Sequence, residues 1–427
     1  MKNIKWGCIQ PLTGGMYIGA LEAVGHDAEW ILSYDGLTDV KYDKNGEITV
    51  AGNEYNLLDW MKRNGHDVPY YVIKNRKMFD QNVSVLDPYI CLNDEEAKPD
   101  YNDLDLVIAV PVCSGLSMST RGKEETLIAR NCNMEWLAFY TLNVIKPKIY
   151  IFENAPTLIG SRGDEIRNSL EQIAYKAKYS VLYYKTDTMY HHNCQKRPRT
   201  FVIFMKWEYD DIELPYTFNF EHETISVPEF FDKISPDASM MKPVTSKEYN
   251  YMAIAFLKHK YGENWMDDIQ GNLIRYLYQH KLFDEFRNFI YEAPGFTDTE
   301  KQRTVKYIDH IDYKLGIGMN YYGNDVCLFK EVFPSVQFKN IPSMLHYSGK
   351  RFCTIREYLS LMGMPEDFIL YGNESNWPKI GQNVPAGTAK FIVEQAINVI
   401  ENWGMSSRDP KSNVIIQDNI KKKTIIC

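Results

Sequence analysis

The 427-residue chain has no Cys-x-x-Cys pair and no His/Cys cluster at the spacing of a zinc site, although it carries eight cysteines. Unpaired thiols in a chain of this length weigh against a disulfide framework and fit a reducing compartment. His191-His192 followed by Cys194 is a local cluster without a second half, so no metal is expected. Long apolar runs are missing too: no stretch approaches the roughly 20 residues that a membrane helix needs, and no signal peptide opens the chain. A cytoplasmic protein without a membrane partner is the expectation. Positive charge is in deficit, with 48 Lys and Arg against 56 Asp and Glu and a net charge of −8. That balance argues against a protein that coats nucleic acid nonspecifically, because phosphate binding needs clustered cations, but it leaves room for a local basic cleft.

What the chain does have is enough apolar material, 44% of its residues, to bury a large core, and its length favours two domains over one. Asp103 to Ser117 is the stretch around which the rest is organised. Its first half is a short β-branched run of the kind buried on both faces of a parallel sheet, and it stops at Pro111, Cys113 and Gly115. Ligands of open α/β sheets bind at the carboxyl ends of the strands, which makes the Cys113 thiol a candidate nucleophile. A second apolar run, Ile149 to Phe152, delivers Glu153 and Asn154, and a third begins after Gln195-Lys196-Arg197-Pro198-Arg199. Thiol, carboxyl and guanidinium at one sheet edge suit covalent attack on an electron-poor heteroaromatic ring. The thiolate adds to a ring carbon, the carboxyl group hydrogen-bonds ring nitrogens as charge develops, and the arginine orients the carboxyl.

These three segments, in this order, resemble the motifs of the cytosine-C5 DNA methyltransferase family. Pro111-Val112-Cys113 is similar to its Pro-Cys nucleophile loop, Glu153-Asn154-Ala155 to its Glu-Asn-Val motif, and Gln195 to Arg199 to its Gln-x-Arg-x-Arg motif. Arg351 to Glu357, Met364 to Phe368 and Lys379 to Pro385 agree with later family segments. The resemblance implies a Rossmann-like α/β sheet domain dependent on S-adenosylmethionine, with a smaller inserted target-recognition domain. It implies Cys113, Glu153, Arg199, Arg197 and Asn154 as catalytic residues. It also implies DNA contacts from Ser114, Ser117, Arg121 and Lys123 in the loop after the nucleophile, and from Gln195 and Arg356. Val112 and Ser114 stand where the family carries proline and glutamine.

Toward the N-terminus, Ile4 to Ile9 reads as a strand, followed by Pro11-Leu12-Thr13-Gly14-Gly15 and a helix. A glycine turn between strand and helix lets a cofactor approach the backbone. The resemblance makes this the S-adenosylmethionine loop, in a worn form in which Cys8, Gln10 and Leu12 replace the family's Asp, Phe and first Gly. Ser33 takes the register of the acid that holds the ribose in the family, with Asp35 the nearest substitute. Asp87, in competition with Asp94, is the candidate for the adenine amine, and Pro111, Asn383 and Val384 complete the implied donor pocket. A hairpin is expected around Lys44-Asn45-Gly46-Glu47, a helix from Tyr55 to Arg63 and a strand from Val83 to Leu86.

After Trp207 the βαβ rhythm is lost, while helical periodicity marks Ser246 to Lys260 and Asn272 to Phe289. The expected division is a catalytic and donor-binding domain over 1–207, a target-recognition domain over 208–347, and a return segment over 348–427 whose helix, Gly387 to Trp403, rejoins the first domain. Lys301, Arg303, Lys306, Lys314, Lys330 and Lys339 are candidate groove contacts, with Asn320 and Asn324 as base readers. The tail at Lys421-Lys422-Lys423 is expected to fray. The function implied is methylation of C5 in an extruded cytosine of double-stranded DNA by a monomer, in a prokaryotic or phage-infected cell. Four alternatives stay open: an RNA substrate, a different one-carbon donor, an inactive DNA-binding relative, or an unrelated α/β enzyme.

Overall fold

The computed structural model describes residues 3–34, 37–73, 99–111, 116, 134–207, 216–319, 325–337, 341–402 and 414–426. Its centre is a sheet of nine strands: β1 (Trp6–Ile9), β2 (Trp30–Tyr34), β3 (Tyr70–Ile73), β4 (Leu106–Ala109), β5 (Ile149–Asn154), β6 (Tyr179–Asp187), β7 (Pro198–Lys206), β8 (Val414–Asp418) and β9 (Lys423–Ile426). They lie side by side in the order β9-β8-β6-β7-β5-β4-β1-β2-β3. From β3 to β5 all neighbours are parallel. β8 joins β6 in parallel, whereas β7 runs antiparallel between β5 and β6, and β9 closes the edge antiparallel to β8.

Strict alternation along the central strands sorts side chains onto two faces. Trp6, Cys8, Ile108, Ile151 and Ile203 enter one core, and Ile9, Val107, Tyr150, Phe152 and Phe204 enter the other. The covering helices are α1 (Gly15–Val24), α2 (Asn53–Arg63), α3 (134–140), α4 (Asp164–Ala177), α5 (Val227–Asp232), α6 (Glu248–Tyr261), α7 (Leu273–Gln279), α8 (Phe283–Glu292), α9 (Asp298–Gly316), α10 (Ile355–Leu361) and α11 (Ala386–Glu401). Tyr17 of α1, Leu57 of α2 and Ile392 of α11 share the first core. Leu137 of α3 and Leu170 of α4 share the second. Phe256, Leu277, Phe286 and Ile308, from the helices that follow β7, belong to the first core as well. No helix among the described residues is long and apolar enough to cross a membrane.

Several local expectations need correction. The helix expected over 272–289 is two helices, because Lys281 adopts a left-handed backbone with φ 56° between α7 and α8. The helix α3 runs on into a π turn over Thr141–Ile145, and Lys146, at φ 57°, terminates it. The lysine tail does not fray. Asn419 to Lys422 form the turn between β8 and β9, whose β-branched residues pair from Ile415 with Ile426 to Asp418 with Lys423. Buried Asn419 fixes the turn by donating to Thr186 Oγ1 at 2.8 Å and to the Glu221 carbonyl at 2.9 Å. The hairpin does form, as Val40–Tyr42 against Ile48–Ala51, with the Asp43 carboxylate accepting from the Asn45 and Glu47 amides. The strand expected at 83–86 lies outside the described residues, and β3 was not anticipated because four residues after Pro69 carry too short a pattern.

α11 reaches the sheet by lying directly on α1. A methyl group at Gly19 would stand 2.3 Å from the Ala386 carbonyl and 2.7 Å from Ala389 Cβ, so the two helices meet backbone to backbone. Gly19→Ala should therefore lower the free energy of urea unfolding by about 1–3 kcal/mol, the usual range for overpacking a rigid contact. An unchanged midpoint would mean that α11 is not seated against α1.

Candidate active site

The antiparallel course of β7 brings Arg199 beside the end of β5, where Phe201 is level with Glu153 and Thr200 with Asn154. Arg199 Nε meets Glu153 Oε1 at 2.7 Å, and an outer nitrogen of the same guanidinium donates to the Pro198 carbonyl at 2.7 Å. Glu153 is 6% exposed. Burial pushes its carboxyl upward, and the charges of Arg199 and Arg197 pull the other way without cancelling that rise. The pair is thus a carboxyl poised to hold a proton, braced by a cation.

β4 ends on the same edge. Ala109 is level with Phe152, so the chain leaves β4 at buried Pro111 next to the turn after Glu153. Cys113, Ser114, Ser117, Arg121 and Lys123 lie outside the described residues. Leu116 does not, and its carbonyl accepts from Thr157 Oγ1 at 2.5 Å. Leu116, three residues after Cys113 in the sequence, is thereby tied to the loop that follows Glu153.

Four expected site residues make hydrogen bonds within the protein. Arg197, anticipated as a second catalytic arginine, is buried, and its fork donates to Ser335 Oγ (3.1 Å) and to the carbonyls of Val336 (2.7 Å), Gly381 (3.0 Å) and Asn383 (2.7 Å). Gln195, anticipated at DNA, is buried, donating to the Leu361 carbonyl and accepting from the Val336 amide. Arg356, also anticipated at DNA, is fully buried and serves Ser239 and the carbonyls of Pro365 and Phe368. Asn154 spends its amide on Met134 Sδ and on the Ala155 N–H, which braces the strand end.

The glycine loop is partly a packing joint as well. Asn383 Oδ1 accepts the Gly15 N–H at 2.7 Å, and a Cβ on Gly15 would lie 1.8 Å from the Val384 carbonyl. Gly15, Asn383 and Val384 therefore hold one another, with Asn383 occupying the first amide of α1. Gly14, at φ 100°, faces Leu57 of α2. Pro11 is buried and Leu12 half-buried at φ 53°. Around this loop the oxygens Gln10 Oε1 and Thr13 Oγ1 are buried without a hydrogen-bond partner among the described residues. Asp35 and Asp87 lie outside the described residues.

The sequence pattern of the family described as C-5 cytosine-specific DNA methylase matches residues 74–398, more than half of the chain. The chain belongs to that family. No curated protein matches it. Among solved structures, a candidate DNA modification methyltransferase encoded within an E. coli prophage is similar at 14% identity, with a TM-score of 0.48, over 93% of this chain and 99% of that one. An Entamoeba histolytica methyltransferase, EhMeth, is similar at 9% identity and TM-score 0.47 over 93% and 99%. A variant of Spodoptera frugiperda DNMT2 follows at 11%, 0.46, 92% and 99%. The mostly parallel α/β sheet is that of the C-5 cytosine methylase family.

In this C-5 cytosine methylase the family pattern begins after the glycine loop, and the residue that sequence reasoning missed sits in the unmatched part. Glu54 opens α2 and is fully buried, with Tyr70 donating to its Oε2 at 2.9 Å. The available sign was an acid on the buried stripe of an amphipathic helix, one turn before Leu57 and two before Met61. Burial pushes its carboxyl up to about 8, against the opposing pull of Ser33, Tyr70 and the Leu12 backbone. A carboxyl raised in this way favours folding in its neutral form. Its contribution is complete below the ordinary value of 4.5 and is lost as pH climbs toward about 8. Glu54→Gln should flatten the decline of unfolding free energy across that window relative to the parent protein. Equal slopes in the two proteins would show that Glu54 is not held neutral.

Proposed function

We propose that the chain is a DNA (cytosine-5-)-methyltransferase. The observation that carries this reading is the Glu153–Arg199 pair, buried at the sheet edge where β4 also ends, a few residues before Cys113 in the sequence. An extruded cytosine bound there meets a nucleophile, a proton-holding carboxyl and a cation within one pocket.

The Cys113 thiolate adds to C6 of the ring, and density moves toward N3 and C5. Glu153, whose burial raises its tendency to take up a proton, hydrogen-bonds N3 as charge develops there and accepts from the exocyclic amine. Arg199 holds Glu153 in register and reaches O2 with an outer N–H. Solvent water takes the C5 proton at the end of the sequence, its electron pair re-forms the C5–C6 double bond, and the C6–S bond breaks to return the thiolate. S-adenosylmethionine, when bound, supplies the electrophilic methyl group for C5. The loop from Gln10 to Gly14 fits such a donor because Gln10 Oε1 and Thr13 Oγ1 are buried with no hydrogen-bond partner among the described residues. The helical segment from 208 to 347 serves as the target-recognition domain in this reading, since a base held in a closed pocket cannot be used to read its neighbours.

Cys113→Ser should abolish product without unfolding the chain, because an alcohol is far less ionised and less nucleophilic than a thiol near neutral pH. Duplex DNA carrying 5-fluorocytosine at the target should trap the parent protein covalently and leave the Ser variant free. Glu153→Gln should slow single-turnover methylation by about 10²–10⁴-fold, the span associated with losing a positioned acid. Nucleoside mass spectrometry of DNA and RNA from expressing cells identifies the substrate. 5-Methylcytosine in RNA alone, or full turnover by the Ser variant, would sink the proposal.

A further inference from the structure

β7 opens on Pro198, which has no N–H to give to β6, so the ladder alone holds the start of this strand weakly. Arg199 is the next residue, level with Thr186 of β6, and its guanidinium meets Glu153 at 2.7 Å. The hold that the ladder withholds comes from the end of β6. Asp187, its last residue, is buried and level with Pro198. Its Oδ1 accepts the Arg197 N–H at 2.8 Å and the Met189 N–H at 3.2 Å, so one oxygen clamps both ends of the connection between the two strands. Thr188, also buried, donates its amide and its hydroxyl to the Arg197 carbonyl, each at 3.2 Å. Thr388 of α11 reaches the same hydroxyl at 3.4 Å.

Both backbone polar groups of Arg197 are therefore held by Asp187 and Thr188, and the constraint passes along the chain from there. The pyrrolidine ring fixes φ at Pro198, which leaves its carbonyl little freedom once Arg197 is pinned. That carbonyl accepts from an outer nitrogen of Arg199 at 2.7 Å, while Nε of the same group faces Glu153. A planar guanidinium held at two of its nitrogens is fixed in orientation as well as in place. The other outer nitrogen is the one that the proposed mechanism turns toward O2 of the base.

We infer that Asp187 is a positioning residue for methyl transfer, acting with Thr188 through the Arg197 backbone and the Pro198 carbonyl to aim the guanidinium of Arg199. The assignment rests on the proposed reaction at this sheet edge. It gives a carboxyl that does not touch the base control over the orientation of a group that does, and what it requires of that carboxyl is an acceptor oxygen.

The test is a double-mutant cycle on the full chain, read by single-turnover methylation. Asp187→Ala should slow the step by about 10–100-fold, the scale on which a small misplacement of a catalytic group acts. Asp187→Asn, whose amide oxygen accepts the same two N–H groups, should stay within about threefold of the parent. In an Arg199→Ala background, Asp187→Ala should cost less than about twofold, because the group it positions is gone. A second readout needs no turnover. Exchange of the Arg199 Nε proton with solvent, followed by side-chain nitrogen NMR and assigned by its loss in Arg199→Lys, should be about tenfold faster in Asp187→Ala. Where Arg199→Ala leaves no measurable rate, this exchange decides. If Asp187→Ala does not fold, Thr188→Val, which removes only the hydroxyl donor, takes its place in both measurements. Equal losses of rate with and without Arg199, or unchanged exchange in a folded variant, would overturn the assignment. The two proposals fail separately: a parent protein that modifies neither DNA nor RNA sinks the enzyme, and faster exchange in its Asp187→Ala variant still supports the hold of Asp187 on Arg199.

Discussion

A single buried guanidinium joins parts of the chain that sequence separates widely. Arg197 donates to Ser335 and Val336 from the segment after the helices α5 to α9, and to Gly381 and Asn383 from the segment before α11. Asn383 in turn accepts the first amide of α1 at Gly15. Removing a charge from water is costly, and this one is tolerated because its fork is filled by carbonyl and hydroxyl oxygens. The glycine loop, the return segment and the strand bearing Arg199 consequently share one anchor. Loss of Arg197 would leave several buried carbonyls unsatisfied at once and loosen all three.

That anchor also separates two kinds of arginine within one short motif. Arg199, two residues further on, meets the ionisable partner Glu153, while Arg197 meets backbone and hydroxyl oxygens. A carboxyl paired with a nearby cation and simultaneously buried feels opposing influences, and here burial prevails. The carboxyl therefore takes up a proton more readily than it would in an exposed salt bridge.

How much of this was legible in the residues varied with the physics behind each feature. β4 and β5 were readable because strands buried on both faces are continuous apolar runs, and Glu153 and Arg199 were readable because they stand at the ends of such runs. Gln195, Arg197 and Arg356 carry the residue types that contact DNA, and composition cannot distinguish a polar group facing solvent from one sealed against carbonyls. Asn383 and Val384 pointed correctly to the glycine loop, but what they touch there is Gly15 itself. The lysines before β9 looked like a solvated tail, although the isoleucines on either side were sufficient to pair as strands. Glu54 escaped notice because an acid in the first turn of a helix is ordinarily a capping charge. Only the tertiary contact with β2 and β3 shows it to be enclosed.

The reversed direction of β7 has a geometric consequence for how an edge of this sheet can be furnished. In an all-parallel sheet one rim is built only from the last residues of strands, and the first residues belong to the opposite rim, roughly 15–20 Å away for a strand of five or six residues. Because β7 enters where β5 exits, its opening residue pair stands on the rim that β4 and β5 also reach. Two neighbouring strands therefore contribute to the same pocket through opposite termini, one by ending and one by starting. The spacing between acid and guanidinium is therefore set by hydrogen-bond register across the sheet, with Phe201 level with Glu153, and a change in the length of the connection before β7 leaves it in place.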